Sequence, residues 1–354
     1  MQSNIINPIF NSNYAAIVIS FSDNYSLSGA VLLYSIIKNS KSSINYDIVI
    51  LEDKISEKNK LRLNDIIKNH KNFSLRFFDA NTLFESKKIF TRYYFSPIVY
   101  ARLFIPDLFK NYKKVIYIDS DMVVTTDVSE LLNIDLGDKC IAAVKDIVMH
   151  GFVQFKVKSA PESGAMDAET YIHKILNMDD SKKYFQAGLI IFDIPKILAL
   201  NKNSSLTQNI ESFPFWFLDQ DILNKVFYNY VFFLPLNWNV YHGNSDVKTF
   251  YSKLESNIYT DYLNARNNPK IIHFAGDQKP WINPKVDFYN EFYKNIAGTS
   301  WENDLQNSIK NVQLLKKIKG KLTPFVNVIL PIGSNQRTIL RNAYYKLNSF
   351  FSQK

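Results

Sequence analysis

Lys114-Val115-Ile116-Tyr117-Ile118-Asp119-Ser120-Asp121-Met122-Val123-Val124 is, after its opening lysine, an apolar run broken only by two carboxylates and a serine. Before the break it reads as a buried strand, and the acids stand at that strand's carboxyl end. Working outward, AAIVISF (15–21), YDIVILE (46–52), FSLRFFD (73–79) and CIAAVKD (140–146) are short runs of the same kind. Between them, 27–38 carries apolar residues at helical spacing, and 56–70 reads as a polar helix with Leu61, Leu63, Ile66 and Ile67 inward. Continuous apolar strands alternating with helices predict an α/β fold with a mostly parallel central sheet flanked by helices. In such sheets ligands bind beyond the carboxyl ends of the strands, which is where Asp119 and Asp121 stand.

The rhythm lapses over 147–184, where one short helix (167–177) is expected within irregular sequence. It resumes with GLIIFDI (188–194), LDQDILNKVFY (218–228), VFFLP (231–235) and KIIHF (270–274). A long excursion between strands is more often functional than ornamental. From about residue 300 the chain turns basic and helical, so the expected division is a catalytic domain over 1–300 and an extension over 301–354.

Composition narrows the function. The chain has 354 residues, 46% hydrophobic and 21% charged, a globular balance and not a disordered one. No apolar run approaches the roughly 18–20 residues needed to span a bilayer, and the start, MQSNIINPIF, does not read as a signal peptide. Cys140 is the only cysteine, which excludes an internal disulfide or a Cys-rich zinc site and fits a reducing cytosol. Of ten glycines, only Gly29 precedes Gly137, so neither a dinucleotide fingerprint nor a Walker A loop is present. A bound nucleotide must therefore be held through a metal and side chains. The net charge is +9, and residues 301–354 hold nine Lys/Arg against Glu302 and Asp304, a net of +7. A nearly neutral body with a basic tail argues against nucleic acid and for an anionic membrane surface.

Asp119 and Asp121, at i and i+2 on extended backbone, point to the same side and can share one hard divalent cation. Taken alone they also read as solvated carboxylates closing a strand. A second candidate follows the strand KIIHF: His273-Phe274-Ala275-Gly276-Asp277-Gln278-Lys279-Pro280-Trp281. His273 is either a satisfied core residue or a third ligand. Gly276 allows close backbone approach, and Lys279 offers a point charge for phosphate. Two carboxylates and an imidazole favour Mn²⁺ over Mg²⁺ and leave positions for phosphate oxygens.

Together these segments resemble the family 8 glycosyltransferases, retaining nucleotide-sugar transferases that include bacterial lipooligosaccharide galactosyl- and glucosyltransferases and glycogenin. The matching motifs occur in the family's order: SDNY (22–25), YARLFIP (100–106), KVIYIDSDMVV (114–124), Asp146 of AAVKD, YFQAGLIIF (184–192), LDQDILN (218–224), LPLNWN (234–239) and HFAGDQKPW (273–281). The resemblance implies a GT-A fold whose DxD motif, Asp119-Ser120-Asp121, and His273 bind the metal on a UDP diphosphate. It implies that Ser22, Asn24 and Tyr25 lie at the uridine end, Arg102 near the donor, and Gly276 and Lys279 at the diphosphate. Asp146, Asp219 and Gln220 fall to the transferred sugar, with Gln186, Ala187 and Gly188 lining the donor pocket. Arg102 could equally pair a structural acid, and Asp219 could cap a helix. Two departures stand out: Ser22 replaces an aspartate common in bacterial relatives, and Phe185-Gln186-Ala187-Gly188 replaces FNAG.

The implied activity is transfer of glucose or galactose from a UDP-sugar to a hydroxyl of a saccharide or glycolipid acceptor, in polysaccharide or lipopolysaccharide synthesis. Residues 147–184 are expected on the acceptor side. A sugar-nucleotide pyrophosphorylase would need a Gly-rich N-terminal loop, and a non-catalytic UDP-sugar-binding module would not need Asp119, Asp121, His273 and Lys279 together. Over 335–351, Leu340, Tyr344, Leu347 and Phe351 fall on one helical stripe, with Lys316, Lys317, Lys319 and Lys321 upstream. That pattern predicts a peripheral anchor on the inner face of the plasma membrane of a cytoplasmic enzyme.

Overall fold

The computed structural model describes residues 5–85, 87–91, 96–242 and 250–329. Ten strands form two sheets: β1 (Tyr14–Ser22), β2 (Asn45–Asp53), β3 (Phe73–Asp79), β4 (Lys114–Ile118), β5 (Met122–Val124), β6 (Ile141–Lys145), β7 (Phe185–Asp193), β8 (Val231–Leu234), β9 (Val240–Tyr241) and β10 (Ile271–His273). The larger sheet runs β3-β2-β1-β4-β7-β6-β8 and the smaller β5-β10-β9. In the larger sheet only β7 is antiparallel, to β4 and β6. β1, β2 and β7 are buried along nearly their whole length, as a sheet covered on both faces requires.

The two acids sit where the chain leaves one sheet for the other. β4 ends at Ile118, Asp119 N donates to Gly188 O of β7 at 2.8 Å, and β5 begins at Met122 in the small sheet. β5 pairs antiparallel with β10, so Met122 lies opposite His273. One strand register thereby brings positions 121 and 273 together.

The helices Ser26–Asn39 and Glu57–Ile67 match the expected ones, with one correction. Leu63 and Ile66 are buried, but Leu61 is 67% exposed, because it stands off the stripe that those two define. A second correction concerns 147–184, which holds two helices, Ile147–Gln154 and Ala168–Lys174. The first is capped by Asp146, whose Oδ1 accepts from Val148 N and Met149 N at 2.8 and 3.0 Å. Gly151 in its middle packs closely: a Cβ there would lie 2.5 Å from the Phe250 ring, which would have to shift.

The chain divides into two compact units, 1–280 with 285–302, and 281–284 with 303–354. The second contains most of the helix Glu302–Ile329. No described helix is long and apolar enough to cross a membrane. The stripe expected over 335–351 lies outside the described residues, as do the side chains of Lys316, Lys319 and Lys321; Lys317 is exposed.

Candidate active site

Oxygens of Asp119 and Asp121 and a ring nitrogen of His273 lie within 4.8 Å of one another. His273 Nε2 is 3.3 Å from Asp121 Oδ1 and 3.8 Å from Asp119 Oδ2. The other ring nitrogen, Nδ1, is 3.0 Å from Asn239 Oδ1. A carbonyl oxygen only accepts, so Nδ1 carries the proton and Nε2 turns its lone pair toward the two carboxylates. That is the tautomer a metal ligand needs, and Asn239 supplies the outer partner that such imidazoles ordinarily have. Gly188 closes the other side. A Cβ there would lie 2.6 Å from His273 Cε1, 2.7 Å from Met122 Cε and 3.0 Å from Asp119 Oδ2. The donor set and this tight cradle fit a hard divalent cation.

Two buried cations neutralise the acids. Lys279 Nζ donates to Asp121 Oδ2 at 2.5 Å and to Phe274 O at 2.7 Å. Burial opposes ionisation of Asp121, yet the Lys279 ammonium holds its carboxyl well below the usual carboxylate range. Gly276, at φ +85°, makes the left-handed turn that starts the chain toward Lys279.

Arg102 stands between the other acids. It pairs with Asp119 Oδ1 through NH2 and with Asp219 Oδ2 through Nε, both at 2.9 Å, and NH1 donates to Ala187 O at 2.7 Å. Its guanidinium lies 4.4 Å from the ring centroid of Tyr117, whose hydroxyl donates to Asp119 Oδ1 at 2.7 Å. Burial pushes the Asp219 carboxyl up to about 7, opposed by Arg102 and reinforced by Asp119. Asp219 thus does not cap its helix, Leu218–Phe227; Asp221 takes that place by accepting from Phe217 N at 2.8 Å. Leu218, just before Asp219-Gln220, has φ +50°, a conformation that costs a bulky residue about 1 kcal/mol or more and sets the direction of both side chains.

Gln220 joins this group to Asp146. Its Oε1 accepts from Ala187 N at 2.9 Å, and its Nε2 donates to Asp146 Oδ2 at 3.0 Å. Burial raises the Asp146 carboxyl, while the amides of Met149 and Val148 oppose that shift. Gln186 is 1% exposed, and its Oε1 has no partner among the described residues. Of the remaining candidates, Ser120 is buried between the two acids, Ser22 is half-buried at the end of β1, and Asn24 is exposed. Burial and the charges of Asp121 and Asp119 push the Tyr25 phenol up to about 12, which sets it near the acids. Sequence reasoning passed over Tyr117 and Asn239 as site residues. Asn239 was visible as the last residue of LPLNWN; Tyr117 had no signal beyond its strand.

Residues 16–284 match the family model described as glycosyl transferase family 8. The chain belongs to this family. The apo structure of the bifunctional glycosyltransferase WbbM superposes with a TM-score of 0.81 at 49% identity, over 86% of this chain and 53% of that one, so this chain spans about half its length. General stress protein A of Bacillus subtilis (strain 168) is 27% identical over 287 residues, 79% of this chain and 92% of that protein. The lipopolysaccharide 1,2-glucosyltransferase of Escherichia coli (strain K12) is 25% identical over 234 residues, 63% of this chain and 60% of that protein. The mostly parallel central sheet of this family 8 chain, with its flanking helices, is the expected GT-A fold.

Proposed function

We propose that this chain moves glucose or galactose from a UDP-sugar to a hydroxyl of a glycan acceptor, with retention at the anomeric carbon, in lipopolysaccharide or related polysaccharide synthesis. The carrying observation is the convergence of Asp119, Asp121 and His273 under Gly188 in a member of this family. Likeness to a lipopolysaccharide 1,2-glucosyltransferase supports the substrate class. A pyrophosphorylase reading finds no support in a family 8 chain without a glycine-rich N-terminal loop.

Asp119, Asp121 and His273 would hold Mn²⁺ or Mg²⁺, which when bound supplies positive charge to the diphosphate of the departing UDP. Lys279, already ordered by Asp121 and Phe274 O, adds a fixed charge at no cost in reorganisation. Gly276 lets the backbone approach the diphosphate, and Ser22, Asn24 and Tyr25 serve the uridine end. Arg102 keeps Asp119 and Asp219 apart and oriented. Asp219, Gln220 and Asp146 surround the transferred sugar, with the buried carbonyl of Gln186 as a further acceptor. UDP needs no proton to leave, so no general acid is required. The arrangement serves front-face attack, with the leaving phosphate taking the acceptor proton, and equally double displacement through one of these side chains. A cleft of about 150 Å³ lined by Lys145, Asp146, His150, Lys182, Tyr184 and Asp261 supports the acceptor-side reading of 147–184. The basic C-terminal stretch is assigned to an anionic membrane surface on the cytoplasmic side.

UDP release measured with UDP-glucose and UDP-galactose, with and without Mn²⁺, tests the activity. Asp219→Asn should lower kcat by about a hundredfold or more while UDP affinity stays within about twofold. Equal losses in both would move Asp219 to the nucleotide or to folding.

A further inference from the structure

Asp221 lies three residues past the strained Leu218 and is fully buried, and accepting from Phe217 N uses only part of its carboxylate. Three donors converge on its carboxylate: Tyr184 Oη at 2.5 Å on Oδ1, and Tyr171 Oη at 2.6 Å with Phe217 N at 2.8 Å on Oδ2. A phenol has one hydrogen to give, so both tyrosines are left with lone pairs only on their other side. Tyr171 uses its oxygen to accept from Trp216 N at 2.9 Å. Tyr184 uses its oxygen to accept from Gln220 Nε2 at 3.2 Å. Asp146 Oδ2 takes the other hydrogen of the same amide. Both hydrogens of Gln220 are thereby committed, and its carbonyl is the end that meets Ala187 N.

We propose that Tyr184, polarised by Asp221, is a positioning residue that fixes the amide orientation of Gln220, so that Gln220 meets the donor sugar as a hydrogen-bond acceptor and never as a donor. The inference rests on the transferase reading for the role of Gln220, but the orientation itself does not. The two tyrosines form a natural control. Both are buried and both bond Asp221, but the Tyr184 oxygen accepts from Gln220 whereas the Tyr171 oxygen accepts from Trp216 N. A merely structural role predicts equal effects from the two, whereas positioning predicts a split.

The test compares Tyr184→Phe with Tyr171→Phe in the full chain. Tyr184→Phe should lower kcat for Mn²⁺-dependent UDP-glucose or UDP-galactose hydrolysis by about tenfold, the loss of roughly one hydrogen bond, with UDP affinity unchanged. Tyr171→Phe should lower the melting temperature and leave kcat within about twofold. In a Gln220→Ala background, adding Tyr184→Phe should change kcat by less than about twofold, because the effect travels only through that amide. Side-chain amide protons of Gln220, followed by NMR in protein labelled at glutamine, supply a readout independent of turnover. They should stay protected from exchange in the wild type and in Tyr171→Phe and lose protection in Tyr184→Phe. Unaltered protection in Tyr184→Phe, or the same kcat loss in both backgrounds, overturns the positioning role. A wild-type protein that releases no UDP but shows the protection pattern would sink the transferase reading and leave the positioning intact.

Discussion

At Gly188 a single methyl group would stand inside contact distance of His273, Met122 and Asp119 at once. His273 has no room to yield, since Nδ1 is tied to Asn239. Gly188→Ala should therefore fold but lose Mn²⁺ affinity by about tenfold or more, measured by titration calorimetry. Asn239→Leu, which removes the acceptor, should lose about 10–100-fold, and Asn239→Asp, which keeps an acceptor, should recover most of it. Unchanged affinity in Asn239→Leu would mean that the tautomer of His273 is set by something else. Asp219 carries a separate pH signature. Burial holds its carboxyl at about 7 against an ordinary 3.8, so a turnover that needs the carboxylate should rise as pH rises through about 7. The stability sign is opposite. The unfolded chain loses this proton near 3.8 and the native chain near 7, so this group's contribution falls as pH rises across that window. A rate profile flat from about pH 5.5 to 8 would show that Asp219 does not titrate in the rate-limiting state.

Between strands, the site is built by links and not by the strands themselves. The turn after β10 passes through Gly276 at φ +85°, with open space where a side chain would go. Gly276→Ala should thus cost about 1–2 kcal/mol of backbone strain without a clash, visible as a small drop in melting temperature together with a raised KM for the donor. Most of the elements were legible because long apolar runs and helical spacing act locally: β1, β2 and β3 fall where the pattern puts them. The division into two sheets was not. KVIYIDSDMVV reads as one interrupted strand, and only pairing with β10, far along the chain, carries Met122–Val124 into a second sheet. The helix Ile147–Gln154 was hidden by β-branched residues and Gly151, and rests on a cap from Asp146. Leu61 was misplaced because it was grouped with Leu63 and Ile66 by polarity alone, although two residues of helix turn it about 200° away from Leu63 and off the buried stripe. In the site, Asp119 and Asp121 were readable from their spacing and His273 from its place after a strand, and Asp146 and Asp219 only through the family's motifs, whereas the partners that orient them, Tyr117, Asn239, Tyr184 and Asp221, meet them through tertiary contacts or the sheet register.

On the scale of the whole chain, charge is segregated: the basic excess lies in 301–354 while the site lies in 1–280 with 285–302. Removing 301–354 would take Trp301, which is 2% exposed and lies 3.7 Å beneath the Arg62 guanidinium. A cut at residue 330 is the cleaner test. Deletion of 330–354, which removes Arg337, Arg341, Lys346 and Lys354, should weaken binding to vesicles of anionic phospholipid and leave UDP-sugar hydrolysis within about twofold. Vesicle binding that survives the cut and ignores salt would assign the membrane role elsewhere. In the proposed reaction, Asp119, Asp121 and His273 hold the metal through which this family 8 chain releases UDP from a UDP-hexose. Its most direct test is UDP release from UDP-glucose and UDP-galactose by wild type and Asp121→Ala, with Mn²⁺ and with excess chelator. Wild type should release UDP with Mn²⁺ alone, and a folded Asp121→Ala should neither release UDP nor bind Mn²⁺. Undiminished release in chelator, or by Asp121→Ala, would contradict it.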